Sequence, residues 1–113
     1  MPEIYRFRNC VLDTVERFVT VNGTQVPLRT KAFDVLQYLV ENSGRVVTRD
    51  ELIGHVWDGA FVEESNLPVY ISKLRAALYE TRTQRFIETV HGTGYRFVVR
   101  VTADDSQASL ENA

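Results

Sequence analysis

The spacing of hydrophobic positions divides this chain into a strand-like part, a helix-like part and a second strand-like part. Over residues 4–28, apolar and polar residues alternate, for example in residues 5–8, and this period of two predicts short, half-buried strands. Asn22 and Gly23 lie between two such runs and tolerate the positive φ angles of a type I′ hairpin turn. We therefore expect roughly four antiparallel strands that form a small N-terminal sheet.

Apolar residues then recur at the spacing of two successive helices. Thr30 is the predicted N-cap of the first helix, whose apolar positions recur over residues 33–40. Thr48 and Glu51 have the spacing of a capping box, in which each side chain binds the other residue's backbone N–H, and they predict the start of the second helix. The interval of residues 43–47 is so short that the two helices must pack against each other, either steeply or antiparallel.

The third predicted helix, at about residues 65–79, has one apolar side and one side without acids. With Ser65 as its N-cap, Pro68 lies in the first turn, where a proline breaks no intrahelical hydrogen bond. One narrow sector of the helical wheel holds Leu67, Ile71, Leu74 and Leu78, and the opposite sector holds Ser65, Val69, Ser72, Lys73 and Ala76. The second sector fits a groove of nucleic acid, and a core helix whose exposed face lacks acids fits the same pattern equally well.

Two further strands are predicted over residues 86–90 and 95–100. The residues between them, 91–94, include two glycines and predict a tight, exposed hairpin tip. Residues 102–113 are polar and acidic without periodicity, which predicts a disordered tail or linker. The chain is thus expected to form one domain, residues 1–101, followed by that tail.

Charge is distributed unevenly along the chain. The net charge of −2 over 113 residues argues against a nucleic-acid partner. Residues 65–100, however, carry six basic and two acidic residues, a net charge of +4, and they include the third helix. Because phosphate binding depends on the local face of a protein, the charge pattern permits a nucleic-acid partner without proving one.

The residues give no indication of a catalytic or metal site. One cysteine, Cys10, excludes an internal disulfide framework and a cysteine-cluster zinc site, and His55 has no partner at metal-ligand spacing. Neither a set of catalytic residues nor a Gly-rich phosphate loop stands out, so we expect no enzyme, no cofactor and no metal. No apolar run reaches membrane-spanning length and the N-terminus lacks the pattern of a secretion signal, so we expect a cytoplasmic protein.

Five segments together resemble the OmpR/PhoB-type winged helix-turn-helix DNA-binding domain, over about residues 4–100. They are Leu28-Arg-Thr-Lys-Ala-Phe-Asp-Val-Leu36, Gly44-Arg-Val-Val-Thr-Arg-Asp-Glu-Leu52, Val56-Trp57, Ile71-Ser-Lys-Leu-Arg75 and Thr89-Val-His-Gly-Thr-Gly-Tyr-Arg-Phe97. The resemblance implies an α+β fold with an N-terminal four-stranded antiparallel sheet, three helices and a C-terminal β-hairpin wing. It also implies sequence-specific binding of double-stranded DNA for transcription regulation, with the third helix in the major groove and the wing (86–99) on the minor groove or backbone. Family members often bind as two copies on a direct repeat.

Residues 62–67 resemble the CadC/ToxR-like one-component branch of this family, in which the DNA-binding domain is N-terminal. We therefore expect no phosphate-accepting receiver domain before it, and a sensing part, if there is one, after Ala113. In the family, the loop between the second and third helices can contact RNA polymerase, which implies a contact role here for Asp58, Glu63 and Glu64.

The resemblance implies a set of DNA-contacting positions. Asn66 is expected to contact an adenine edge, Lys73 a guanine edge or a phosphate, and Val69 a thymine methyl group. Arg75 points more sideways on the wheel and is expected to hold phosphate. The full set is Trp57, Ser65, Asn66, Val69, Tyr70, Ser72, Lys73, Arg75, Thr89, His91, Thr93, Tyr95 and Arg96.

Several of these positions allow a second interpretation. Trp57 and Tyr95 would direct an indole N–H and a hydroxyl at phosphates, but core packing is equally consistent with both, and Thr89 can be an ordinary strand residue. His91 stands where relatives commonly have an arginine, and Arg96 can instead pair with an acid of the scaffold. Relatives often carry a basic residue at position 72 and a residue other than proline at position 68. The resemblance therefore does not decide which DNA bases are contacted. The alternative function is a winged-helix protein-interaction module, which the near-neutral outer face of the third helix favours.

Overall fold

The computed structural model describes residues 2–58 and 66–104. Within these ranges the strands are β1 (Ile4–Phe7), β2 (Cys10–Asp13), β3 (Phe18–Val21), β4 (Thr24–Val26), β5 (Val46–Thr48), β6 (Ile87–Val90), β7 (Gly94–Phe97) and β8 (Thr102–Asp104). The helices are α1 (Thr30–Glu41), α2 (Arg49–Trp57) and α3 (Leu67–Ala77). The predicted winged helix-turn-helix architecture is confirmed.

The N-terminal sheet has the strand order β4-β3-β2-β1-β8, with antiparallel neighbours. Its β3–β4 turn has positive φ at both central residues, 53° at Asn22 and 80° at Gly23, as the sequence predicts. The fifth strand corrects the predicted boundary of the tail, because Thr102–Asp104 pairs with the open edge of β1. An ion pair of 2.8 Å between Arg6 Nε and Asp104 Oδ2 adds to this pairing. Residues 105–113 lie outside the described residues.

A second sheet, with the order β5-β7-β6, joins the helices to the hairpin. Its hairpin strands confirm the predicted wing, with the tip at residues 91–93. Strand β5, in contrast, begins inside the interval 43–47 that was predicted to be only a short turn between α1 and α2. The sequence did not predict β5 because three residues are too few to show a period of two and because its partner strand, β7, is remote in the sequence.

The helix starts differ in part from the prediction. Thr48 is the N-cap of α2, and its side chain accepts the Glu51 N–H at 3.1 Å, as predicted. Helix α1 begins at Thr30 itself, so its N-cap is Arg29, which makes no side-chain capping bond. Helix α3 has Asn66 as its N-cap, not Ser65, which lies outside the described residues. Pro68 still falls in the first turn, where no backbone hydrogen bond is lost.

The core lies between the helices and the two sheets. The four aliphatics of α3 are each at most 2% exposed, as predicted from the wheel: Leu67, Ile71, Leu74 and Leu78. Phe7 of β1 packs edge-on against Phe97 of β7 and Phe86 just before β6, with ring centroids 5.0 and 6.2 Å apart, which connects the two sheets. Cys10 is buried, and burial raises the pKa of its thiol to about 11, so it acts as a small hydrophobic residue of the core.

Replacing Gly94 with alanine tests the close approach of β7 to β5. A Cβ at position 94 would clash with the Val47 carbonyl oxygen and lie 2.8 Å from the Thr48 Cα. Because backbone cannot retreat cheaply, Gly94→Ala should lower the free energy of unfolding by more than about 2 kcal/mol, measured by urea denaturation. The matched control is Gly54→Ala in α2, where a Cβ meets nothing within 4 Å. This control should stabilise by up to about 1 kcal/mol because alanine is the better helix former, and equal effects of the two substitutions would contradict the packing.

Candidate nucleic-acid interface

The outer face of α3 is exposed and carries no carboxylate. Asn66, Pro68, Ser72, Lys73 and Ala76 are all exposed, and Val69 is 50% exposed although it is apolar. The buried aliphatics on the opposite side leave the helix no other orientation. The structure therefore presents the described part of the predicted face to solvent as one continuous surface.

Tyr70 connects this face to the end of α2. It is half-buried and packs edge-on against Trp57, with ring centroids 5.4 Å apart, while the Lys73 ammonium lies 5.9 Å from the Tyr70 ring. Trp57 is 9% exposed and packs in the core, while its contact with phosphate stays a prediction. Lys31 covers the same indole at 5.9 Å, and its Nζ donates to the Val56 carbonyl at 2.9 Å.

A groove of basic character continues from α3 to the first turn of α1. It is lined by Leu28, Arg29, Thr30, Lys31, Tyr70 and Lys73, with no acid among them. The Arg29 side chain is exposed and has no side-chain partner within the described ranges. Sequence reasoning missed Arg29 and Lys31 as candidates, because only the packing of α1 against α3 brings them beside Lys73.

The tip of the wing is exposed and anchored at its base. His91, Gly92 and Thr93 are exposed, with Gly92 at φ 73°. The Thr93 N–H donates to the Val90 carbonyl at 3.0 Å, and the Thr93 carbonyl accepts the Arg49 N–H at 3.3 Å. The start of α2 thus holds the tip in place.

Three wing residues have scaffold contacts. Tyr95 is 4% exposed and belongs to the core, so its packing interpretation holds. Arg96 bonds Glu88 on the neighbouring strand at 2.6 Å, so it pairs with a scaffold acid as the second interpretation has it. Thr89 is exposed, but its hydroxyl accepts a bond from Arg75 at 2.9 Å.

Arg75 has scaffold contacts that the sequence did not predict, and its expected phosphate contact stays a prediction. Its Nη2 donates to the Ile87 carbonyl and to Thr89 Oγ1, each at 2.9 Å, and its Nε lies 3.2 Å from Glu80 Oε1. A helical wheel gives only the position of each Cα atom around the helix. The long arginine side chain extends from there, and its guanidinium turns toward the acceptors on β6.

The turn between α1 and α2 is fixed by a polar cluster around Glu51. The Glu51 carboxylate accepts bonds from Arg45 Nη2 and from the Tyr38 hydroxyl, both at 2.5 Å. The bonds from Arg45 and Tyr38 lower the pKa of Glu51 to about 2. His55 is exposed, and its ring packs against that of Tyr38 with centroids 4.2 Å apart and an angle of 36° between the planes.

The predicted polymerase-contact loop is described only at its start. Asp58 ends α2 in the left-handed conformation, with φ 42° and ψ 57°, and is exposed. Glu63 and Glu64 lie outside the described residues. In the part of the chain that the structure covers, no helix has the length and apolar character needed to cross a bilayer.

Comparison with known proteins identifies the family. The family model described as "Transcriptional regulatory protein, C terminal" matches residues 23–97. The chain belongs to this family. Its solved relatives include a Thermotoga maritima response regulator described as an OmpR/PhoB homolog, with 31% identity and a TM-score of 0.77, covering 85% of this chain and 44% of that one.

Solved DNA-binding domains of the family superpose on almost the whole fold. The DNA-binding domain of Escherichia coli CadC has a TM-score of 0.79 at 30% identity, covering 91% of this chain and 97% of that chain. The DNA-binding domain of Klebsiella pneumoniae RstA, solved in complex with the RstA box, has a TM-score of 0.74 at 31% identity, covering 85% and 97% of the two chains.

Curated relatives are longer proteins. The sensory transduction protein RegX3 of Mycolicibacterium smegmatis is 39% identical over 87 residues, which are 75% of this chain and 38% of the relative. The response regulator SaeR of Staphylococcus aureus is 38% identical over 93 residues, 80% of this chain and 41% of the relative. The chain thus spans about two-fifths of the length of these relatives, and its predicted N-terminal place in a one-component regulator stays a prediction.

Replacing Glu51 with glutamine tests the polar cluster through its pH dependence. The carboxylate has a lower pKa in the folded chain, about 2, than its ordinary value of 4.5, so its contribution to stability is complete above pH 4.5 and is lost as pH falls toward 2. Wild type should therefore be more stable than Glu51→Gln at pH 7, and the difference should shrink between pH 4.5 and pH 2. Urea denaturation across this range measures it.

Asp50→Asn is the control, because it removes a carboxylate from the same helical turn without touching Arg45 or Tyr38. At pH 7, the stability difference between Asp50→Asn and wild type should be smaller than that between Glu51→Gln and wild type. A difference for Glu51→Gln that stays constant with pH would contradict the assigned cluster.

Proposed function

We propose that this domain binds specific double-stranded DNA to regulate transcription, with α3 in the major groove and the wing on the adjacent minor groove or backbone. The observation that carries the proposal is the exposed, acid-free face of α3 beside an exposed wing tip at residues 91–93. A helix face of short or basic side chains fits the major groove and adds no charge that the phosphates would repel. The DNA-bound structure of the RstA domain supports the same partner for this fold.

The base contacts come from the exposed residues of α3. Lys73 reaches a guanine edge or a phosphate, Asn66 an adenine edge, and Val69 a thymine methyl group. Ser72 can donate to or accept from several bases, and Tyr70 borders the contact from its half-buried position. The sequence preference of the domain rests on this set.

Backbone contacts come from both sides of α3. Arg29 lies in the groove beside Lys73, so it is placed to contact a phosphate on one flank. On the other flank, Thr89 supplies a hydroxyl and the wing tip supplies His91 and Thr93.

Other partners follow from the family resemblance. The loop that begins at Asp58 is proposed to contact RNA polymerase, and two copies are proposed to bind a direct repeat. Because the target is chromosomal DNA, we place the domain in the cytoplasm, and we assign it no enzymatic role. The second candidate function, a protein-interaction module, is favoured by one observation: Val69 exposes an apolar side chain at the centre of the α3 face.

Selection from a random-sequence duplex pool, followed by titration at several salt concentrations, tests the proposal. The domain should enrich one motif, and its affinity should fall as salt rises because phosphate contacts release counterions. Failure to enrich any motif would favour the interaction module.

Lys73→Ala tests which face meets the DNA. If Lys73 binds phosphate, the substitution should reduce the slope of log affinity against log salt by about 0.9; if it contacts guanine, it should relax one position of the motif. Arg100→Ala removes the same charge from the groove beside β1 and should change neither quantity. Equal behaviour of the two variants would contradict the orientation.

A further inference from the structure

The side chain of Arg75 joins α3 to the wing. One nitrogen, Nη2, donates to the Ile87 carbonyl and to Thr89 Oγ1, both on β6, at 2.9 Å. The residue itself is on α3, so these two bonds set the position of the β6 backbone and of one β6 side chain relative to the helix. Only 28% of the side chain is exposed.

Glu80 holds the guanidinium from the other side. Its carboxylate is 9% exposed and accepts the backbone N–H groups of Phe86 and Ile87 at 2.7 and 2.9 Å. Its second oxygen lies 3.2 Å from Arg75 Nε and 3.4 Å from Arg85 Nε. Arg75 Nε is buried without an aligned hydrogen bond, so Glu80 attracts it as a charge and not through a directed bond. The segment between α3 and β6 is thereby fixed at both ends.

The bond from Arg75 determines what the Thr89 hydroxyl can do. A hydroxyl has one hydrogen to donate and two lone pairs that accept. Because Thr89 Oγ1 accepts from Arg75, its own hydrogen remains to be donated, and Thr89 is exposed. A bond from a cation also polarises the hydroxyl, which makes it a stronger donor.

We propose that Arg75 is a positioning residue for DNA binding: it holds the wing against α3 and turns the Thr89 hydroxyl outward as a donor to a backbone phosphate. This inference rests on the proposed function and replaces the expectation that Arg75 binds phosphate itself. The two roles differ in chemistry. A direct phosphate contact needs only a positive charge, which lysine also supplies. The positioning role needs the fork of the guanidinium, whose nitrogens face Thr89, Ile87 and Glu80 at the same time.

A double-mutant cycle on the 113-residue protein separates these roles. Binding to the selected duplex is measured for wild type, Arg75→Lys, Thr89→Val and the double variant, with thermal unfolding recorded for each. Thr89→Val should lower affinity about fivefold through one lost hydrogen bond. Arg75→Lys should lower the affinity by a similar factor and leave the slope of log affinity against log salt unchanged. The double variant should bind no worse than Thr89→Val alone. Arg85→Lys alters a second neighbour of Glu80 without touching Thr89 and should bind as wild type does.

The other outcomes contradict either the positioning role of Arg75 or the proposed function. If Arg75→Lys binds like wild type, or if the losses multiply in the double variant, the positioning role is wrong. If Arg75 only stabilised the fold, Arg75→Lys would lower affinity by the same factor in wild type and in the Thr89→Val variant. This result would also contradict the proposal. If wild type binds no duplex, the proposed function fails, and the positioning role fails with it.

Discussion

The burial of one side of α3 determines most of what this domain presents to its surroundings. Leu67, Ile71, Leu74 and Leu78 are each at most 2% exposed. Each such side chain contributes about 1.5–3 kcal/mol by leaving water, so rotating the helix to bury another face would cost more than a small domain can lose. The outward face is therefore a consequence of core packing. Its lack of acids then makes it suitable for DNA.

The wing depends on a second constraint, the attachment of its strands to the rest of the fold. Strand β7 approaches β5 so closely at Gly94 that no side chain fits there, and the ring of Phe97 packs against Phe7 of the N-terminal sheet. Arg75 and Glu80 attach β6 to α3 by polar contacts. The angle between helix and wing, which decides whether both reach one duplex, is thus set by apolar contacts on one side and by charged groups on the other.

The sequence predicted those elements that carry a strong local pattern, either a helical period or a turn or capping motif. The four buried aliphatics of α3, the Asn22-Gly23 hairpin and the capping Thr48 all behave as their local pattern requires. The three-residue strands β5 and β8 were missed because they are too short for a period and pair with strands remote in the chain. The scaffold contacts of Arg75 were missed because a wheel gives the direction of a Cα–Cβ bond, not the end point of a long side chain. Arg29 was missed because its site exists only where α1 packs on α3.

We propose that one surface, formed by α3, the wing tip and the first turn of α1, meets the DNA. Titrating the isotope-labelled protein with the selected duplex, while backbone amide chemical shifts are recorded by NMR, tests it most directly. We expect the largest shift changes at residues 66–76, 91–93 and 29–31, with small changes in β2 and β3. Shift changes concentrated in the N-terminal sheet, with α3 unaffected, would contradict it.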